Sequence, residues 1–235
     1  RMAMKPAPLG SGIVFERTDL DVSDRLVPAR REFVRSTDLG TTLVNDAGAS
    51  VATVEHLMAA LAGLGVDDLI IELDGPEVPA MDGSSAPFVD LILHAGLKTR
   101  PAPRKALQVL KPVEVEDGSR HAVFLPALRP GIDVEIDFDD PAIGRQHFAF
   151  EVSRANFQEL VAPARTFGFR REFSALLKAG LARGGSMENA VVVDDDGVAN
   201  PEGLRFADEF VRHKALDALG DLYLLGAPII GLYKA

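Results

Sequence analysis

The feature that most constrains the fold is one order of elements that occurs twice. A strand-like TTLVNDAG is followed by a helix-like segment carrying His56 and then by the strand-like GVDDLIIEL. The same order returns as AVVVDDDG, a helix-like segment carrying His213, and GAPIIGLY. Repeated units of this kind bury their apolar faces on one another. We therefore predict an α+β fold of two similar halves, each a strand, a turn, a helix and a returning strand. If the halves pack face to face, each contributes one histidine to the junction.

Three side chains on the two predicted helices could bind one metal ion. His213 and Asp217 are four residues apart, so both project from one side of a helix. A catalytic zinc ion usually takes three protein ligands and leaves a fourth position for water. The candidate for the third is His56, in a helix that we expect to begin after an N-cap at Thr53 and to run to about Leu64. If the helices face each other, the three side chains should converge.

Glu55 and His56 fall in the first turn of that helix. The positive end of the helix dipole favours a carboxylate there and disfavours an imidazolium. The sequence therefore predicts a neutral His56 whose lone pair is free for a cation.

A second interpretation of the later helix needs no metal. Its apolar residues form a broad arc, and His213, Asp217 and Asp221 lie opposite, as on an amphipathic helix with a solvated polar face. Phe206 and Phe210 lie on the same side as His213, and a solvated face seldom carries two phenylalanines. The two aromatic residues favour the wall of a cleft.

Composition excludes several classes of protein. The 35 acidic and 25 basic residues give a net charge of -10, and there is no basic run, which argues against a nucleic-acid partner. The absence of cysteine leaves His, Asp and Glu as metal donors, and it is consistent with the cytoplasm, where we expect the protein. No apolar run approaches the roughly 20 residues of a membrane span, so we expect no transmembrane segment.

A proline-rich stretch divides the chain. TRPAPRK, residues 99–105, is typical of a linker, so we place an N-terminal domain at 1–103 and a C-terminal domain at 104–235. The chain opens on an alternating RMAMK and ends on the strand-like PIIGLYKA. From these ends we expect both terminal elements to be truncated.

Four long motifs occur in an order that identifies a family. TVEHLMAALAGLGVDDLIIELDGPEVPAMDGSSAPF, ARTFGF, GGSMENAVVVDDDG and LRFADEFVRHKALDALGDLYLLG together resemble the UDP-3-O-acyl-N-acetylglucosamine deacetylases of lipid A biosynthesis in Gram-negative bacteria. The resemblance covers nearly the whole chain. It implies that each half is a domain with a β-sheet and a helical layer, with the helices packed against each other where the domains meet. It also implies a zinc-dependent amidohydrolase, with Fe²⁺ as a possible alternative metal. Its substrate would be a small molecule, UDP-3-O-(3-hydroxyacyl)-N-acetylglucosamine, whose 2-acetamido group would be cleaved to release acetate, the committed step of that pathway.

The resemblance also implies roles for individual residues. The metal ligands would be His56, His213 and Asp217. The catalytic residues would be Glu55 as general base, Thr166 as a hydroxyl near the oxyanion, Lys214 as a basic group near the substrate and Asp221 as the carboxylate that orients a catalytic histidine. Substrate contacts would come from Phe167, Phe169, Ser186, Arg120, Asp137 and Phe138. Ser186 belongs to an insert that forms the acyl-chain passage in the family, and the last three residues correspond to nucleotide contacts.

The sequence departs from the family at its end. The family's catalytic histidine follows the strand matched by PIIGLYKA, and this chain stops first. We therefore expect the chain as given to bind metal but to deacetylate poorly, unless the protein extends further. Two alternatives stay open, a non-catalytic metal-binding or structural α+β module and an amidase for another N-acetylated sugar. Acyl-chain length, the choice between zinc and iron, and the oligomeric state, for which we favour a monomer, are open too.

Overall fold

The computed structural model describes residues 1–178 and 184–235. The strands before residue 104 are β1 (Met2–Pro6), β2 (Ile13–Arg17), β3 (Leu26–Pro28), β4 (Val34–Ser36), β5 (Thr42–Val44), β6 (Ser50–Val51) and β7 (Leu69–Leu73). Those after it are β8 (Leu107–Gln108), β9 (Val113–Asp117), β10 (Arg120–Leu125), β11 (Gly131–Asp137), β12 (Arg145–Glu151), β13 (Phe167–Phe169), β14 (Val191–Asp194), β15 (Gly197–Val198), β16 (Ile229–Ile230) and β17 (Leu232–Lys234). The helices are α1 (Glu55–Leu64), α2 (Ala86–Ala95), α3 (Arg154–Asn156), α4 (Arg170–Lys178) and α5 (Glu209–Tyr223), with a 3₁₀ turn at Arg31–Phe33 and a π-helical turn at Phe157–Val161.

Two larger sheets form the two halves of the molecule. The first has the order β1-β7-β2-β3, and the second has the order β12-β11-β17-β10-β9. Three smaller sheets have the orders β4-β5-β6, β13-β14-β15 and β16-β8. The predicted α+β class is confirmed. Within the described residues each sheet draws its strands from one side of residue 104 only, which supports our proposed boundary between 1–103 and 104–235.

Helix α1 is buried because its sequence, EHLMAALAGL, is apolar on almost every side. Nine of its ten residues are buried, including Glu55 and His56 at its start. It ends at Gly65, whose φ of 74° is the left-handed conformation that closes many helices.

Helix α5 packs against α1 and also covers strands β11 and β12. At the crossing, a Cβ added to Gly220 would lie 2.0 Å from the carbonyl oxygen of Glu55 and 3.0 Å from the backbone nitrogen of Ala59. The two backbones therefore touch, which a larger residue would prevent. The core is continuous across the junction, since Phe15 of the first sheet and Ile132 of the second belong to one buried cluster. The predicted packing of the two helices is confirmed.

Two details of the predicted helices are wrong. Thr53 is not the N-cap of α1, because its φ is 58° and its hydroxyl donates to Glu77 Oε1 at 2.9 Å. The helix begins after Val54, which makes no side-chain capping bond. Helix α5 begins only at Glu209, so Phe206 precedes it.

The longest helix within residues 1–178 and 184–235 is α5, with 15 residues. No helix in this described part has both the length and the apolar character needed to cross a bilayer.

We expect Gly220→Ala to destabilise the protein by about 1–3 kcal/mol, because the new methyl group forces α5 away from α1. Alanine favours a helix over glycine by about 1 kcal/mol, so a loss of stability shows that the contact dominates. Gly75→Ala is the control, since a Cβ there meets nothing within 4 Å, and it should change stability by less than about 0.5 kcal/mol. Chemical denaturation of both variants measures this, and equal midpoints would contradict the account.

Candidate metal centre

The contact between α1 and α5 brings the three predicted metal ligands together. One donor atom each from His56, His213 and Asp217 lies within 4.8 Å of the other two. Asp217 Oδ1 is 3.5 Å from His56 Nε2 and 3.3 Å from His213 Nε2. The two imidazoles meet edge to face, with ring centroids 4.8 Å apart.

These donors suit a divalent cation. Ligand atoms at 2.0–2.2 Å from one tetrahedral ion lie about 3.4 Å from each other, close to both separations from Asp217. Asp217 Oδ1 is also the one buried side-chain nitrogen or oxygen in the described residues without a hydrogen-bond partner. Such an atom is costly unless something binds it. Two imidazoles and a carboxylate therefore fit a zinc or iron ion.

Burial and one hydrogen bond favour His213 as a metal ligand. Its side chain is only 1% exposed, so the solvated-face interpretation of α5 is wrong at this position. Burial lowers the pKa of His213 to about 4, which keeps the ring neutral. Nδ1 lies 3.0 Å from the carbonyl oxygen of Ala164. A proton on Nδ1, donated to that oxygen, leaves the lone pair of Nε2 facing Asp217.

The expectation of a neutral His56 is reversed in the metal-free protein. Burial alone would lower the pKa of His56, but its contact with Asp217 and the nearby Glu55 raise it above the ordinary value. The carboxylates outweigh the helix dipole. Burial alone would likewise raise the pKa of Asp217, but His213, Lys214 and His56 hold it far below its usual range. Metal binding at these residues therefore competes with protons.

Two further carboxylates, Glu55 and Asp221, are joined through Thr41. The Thr41 backbone N–H donates to Glu55 Oε2 at 3.0 Å, and its hydroxyl donates to Asp221 Oδ1 at 2.7 Å. Burial raises the pKa of Glu55, and burial raises the pKa of Asp221 to about 7. Sequence reasoning missed Thr41, because a threonine at a strand end carries no sign of this contact.

Lys214 contacts the candidate metal ligand Asp217, and Thr166 lies two residues after Ala164, whose carbonyl oxygen faces His213. Lys214 Nζ donates to Asp217 Oδ2 at 3.0 Å and lies 5.3 Å from the centroid of Phe167. The Asp217 charge raises the pKa of Lys214. The backbone of Thr166 is held on both sides, since its N–H donates to Gly83 and its carbonyl accepts from Val191.

The predicted substrate contacts separate into two groups. Phe167 lies 6.5 Å from His213 between ring centroids, and Phe138 contacts both Phe167 at 5.7 Å and Phe169 at 6.1 Å. Phe167 therefore borders the candidate ligands, and the other two rings belong to the same aromatic cluster. The structure does not bring the remaining three, Arg120, Asp137 and Ser186, into polar contact with the metal ligands within the described residues; all three are exposed. Their roles stay predictions. Part of the predicted acyl-passage insert, 179–183, lies outside the described residues.

Comparison with known proteins agrees with the motifs. The family described as UDP-3-O-acyl N-acetylglycosamine deacetylase matches residues 1–235. A UDP-3-O-acyl-N-acetylglucosamine deacetylase of Phenylobacterium zucineum is 52% identical over 234 residues, which cover 100% of this chain and 80% of that protein. Proteins of the same name from Shewanella frigidimarina and Myxococcus xanthus are 50% and 53% identical, covering 100% and 98% of this chain and 77% and 73% of their own lengths.

We expect His213→Ala to weaken Zn²⁺ binding by more than about 100-fold, beyond the 10–100-fold typical of residues behind the ligands. Competition with a chromophoric chelator measures the affinity. The matched control is His147→Ala, which breaks a histidine–carboxylate pair on the sheet surface, where His147 Nε2 lies 2.7 Å from Asp133 Oδ1. Equal affinities for His213→Ala and the control would exclude His213 as a ligand.

Asp221 makes stability depend on pH in a predictable direction. Burial raises the pKa of Asp221 from its ordinary value to about 7 in the folded protein, so the folded state binds the proton more tightly than the unfolded state. The stabilisation is complete below about pH 4 and is lost as pH rises towards 7, at about 1.4 kcal/mol per pKa unit. The metal-free protein should therefore lose stability relative to Asp221→Asn across this interval, as denaturation at several pH values would measure. Parallel stability curves for the two proteins would contradict the assignment.

Proposed function

Because the chain belongs to the UDP-3-O-acyl N-acetylglycosamine deacetylase family, we propose that it hydrolyses the 2-acetamido group of UDP-3-O-(3-hydroxyacyl)-N-acetylglucosamine and releases acetate. In the cell this reaction would serve lipid A biosynthesis. The proposal rests on the convergence of His56, His213 and Asp217. Within the described residues, the buried Oδ1 atom of Asp217 has no hydrogen-bond partner.

We propose Zn²⁺ as the ion held by these three residues, and the same donors would also accept Fe²⁺. When bound, the ion supplies a Lewis acid for the amide oxygen and lowers the pKa of a water towards about 7. The chain contributes the neutral Nε2 of His213 and the ionised Asp217 to hold it, and burial at the junction of α1 and α5 limits competing water.

Glu55 is the residue placed to act as general base. It precedes His56 at the start of α1, and the N–H of Thr41 fixes one carboxylate oxygen at 3.0 Å. Burial raises the pKa of Glu55, which brings it nearer to the neutral range where a base works best. We propose that its carboxylate takes a proton from the attacking water.

We propose that Thr166 and Lys214 stabilise the negative charge that develops on the amide oxygen. Lys214 is a cation held beside the site by Asp217, and Thr166 lies on a backbone fixed by Gly83 and Val191. Donors positioned in advance are typically worth about 3 kcal/mol each in the transition state. We propose that Asp221, held by Thr41, orients the group that protonates the departing amine.

Substrate selection is proposed to depend on the aromatic border of the site. Phe167 lies next to His213, and Phe138 and Phe169 belong to the same aromatic cluster, so we propose that this cluster contacts the sugar or the base. Ser186, Arg120 and Asp137 are proposed to contact more distant parts of the substrate, the acyl chain and the nucleotide.

We expect Glu55→Gln to lower kcat by about 10²–10⁴-fold, the usual contribution of a general base, with unchanged zinc content. Acetate release from UDP-3-O-(3-hydroxyacyl)-N-acetylglucosamine measures activity, and elemental analysis measures zinc. Glu72→Gln is the control, because Glu72 pairs with Lys5 at the sheet surface and should keep full activity.

Two outcomes would decide against the proposal. Because the chain as given is expected to deacetylate poorly, the activity is refuted only if zinc-loaded full-length protein releases no acetate. Equal turnover of UDP-N-acetylglucosamine lacking the acyl chain would refute the proposed substrate and favour an amidase for another N-acetylated sugar.

A further inference from the structure

Arg165 and Glu209 form a buried ion pair, and Glu209 lies one helical turn before His213 on α5. The side chains of Arg165 and Glu209 are 3% and 0% exposed. Glu209 accepts four hydrogen bonds, two from the guanidinium of Arg165 at 2.9 and 3.2 Å and two from the backbone N–H groups of Arg165 at 2.9 Å and Arg205 at 2.6 Å. The remaining guanidinium donors reach Glu202 Oε1 at 2.6 Å and the carbonyl oxygen of Gly203 at 2.7 Å. The pair is therefore fully bonded and held in one geometry.

One peptide group connects this pair to the metal ligand. The N–H of Arg165 donates to Glu209, and the carbonyl oxygen of Ala164, in the same planar peptide, accepts from Nδ1 of His213. Glu209 and His213 are four residues apart on α5, so both side chains reach this peptide from one face of the helix. When the N–H of this peptide points at Glu209, its carbonyl oxygen points at His213.

The same segment also carries Thr166. Its backbone N–H donates to Gly83, and its carbonyl accepts from Val191. A Cβ added to Gly83 would lie 2.1 Å from the backbone oxygen of Asn189 and 3.2 Å from Cγ2 of Thr166. The segment 164–166 is thus fixed at one end by the ion pair and at the other by the Gly83 loop.

Stability alone does not account for a buried pair of this kind. Replacing a buried ion pair by apolar residues of similar volume is often neutral or stabilising, because both charges must be removed from water. We propose that Arg165 and Glu209 are positioning residues. Through the 164–165 peptide they hold His213 with Nδ1 protonated and Nε2 facing Asp217, and they fix the backbone that carries Thr166.

Two properties follow, and only one rests on the proposed function. The tautomer of His213 and the metal affinity depend on the geometry of the site alone. The effect on kcat rests on the proposed deacetylation.

The test is the double variant Arg165→Met with Glu209→Met, which removes both charges and keeps similar volume. Zinc affinity should fall by about 10–100-fold, as when a residue behind a metal ligand is lost. With zinc saturating, kcat should fall by about 10-fold or more while KM changes little, because substrate contacts are retained. In the metal-free protein, ¹⁵N NMR of histidine should show the loss of the single Nδ1-protonated form of His213.

The matched control is Arg212→Met with Asp208→Asn. This ion pair joins the N-cap of α5 to its first turn, with Arg212 Nε 2.6 Å from Asp208 Oδ1, and within the described residues it makes no hydrogen bond to residues 164–166. Zinc affinity, tautomer and kcat should stay within about 2-fold of wild type. Arg165→Lys should also keep the tautomer of His213, because the backbone N–H of residue 165 can still donate its hydrogen bond to Glu209.

A folded double variant with wild-type zinc affinity, tautomer and kcat would overturn the proposal. If the double variant does not fold, Glu209→Gln takes its place, since its amide cannot satisfy all four donors, and wild-type values for that variant would overturn the proposal equally. If zinc-loaded full-length protein releases no acetate, the proposed function fails, while the NMR and zinc measurements still decide whether Arg165 and Glu209 position His213.

Discussion

The whole arrangement depends on the close approach of two helices at Gly220. A side chain at this position would collide with the carbonyl oxygen of Glu55, so its absence lets the backbone of α5 rest on the start of α1. This contact places His56 from one half of the chain opposite His213 and Asp217 from the other. A site built in this way exists only when both halves are folded and docked, which ties metal binding to the integrity of the junction.

Burial at that junction explains the unusual charges of the site. It keeps His213 neutral, raises the pKa of Asp221 to about 7 and leaves one oxygen of Asp217 without a partner. A buried unsatisfied polar atom costs about 1–3 kcal/mol. The fold therefore tolerates a local cost in the metal-free state, and a cation that binds Asp217 relieves it.

The fold class, the packing of the two helices and the convergence of the three metal donors could be predicted from sequence, because periodicity and the repeated order of elements are local signals. Contacts between segments that are distant in the sequence could not be predicted in this way. Thr53 was expected to cap α1, but its hydroxyl donates a hydrogen bond to Glu77 from another loop. His56 was expected to be neutral from its helix position, but Asp217, 161 positions later in the sequence, reverses its pKa shift. The bonds of Thr41 to Glu55 and Asp221 belong to the same class of contact.

The central claim is that one divalent ion binds between the helices through two imidazoles and one carboxylate. X-ray absorption spectroscopy of the zinc-loaded protein tests this most directly, because it reports the atoms around the metal without reference to activity. We expect two imidazole nitrogens and one carboxylate oxygen at about 2.0–2.2 Å from the zinc ion, with room for a further oxygen from water. A first shell with fewer than two imidazoles, or a spectrum unchanged when both His56 and His213 are replaced by alanine, would contradict it.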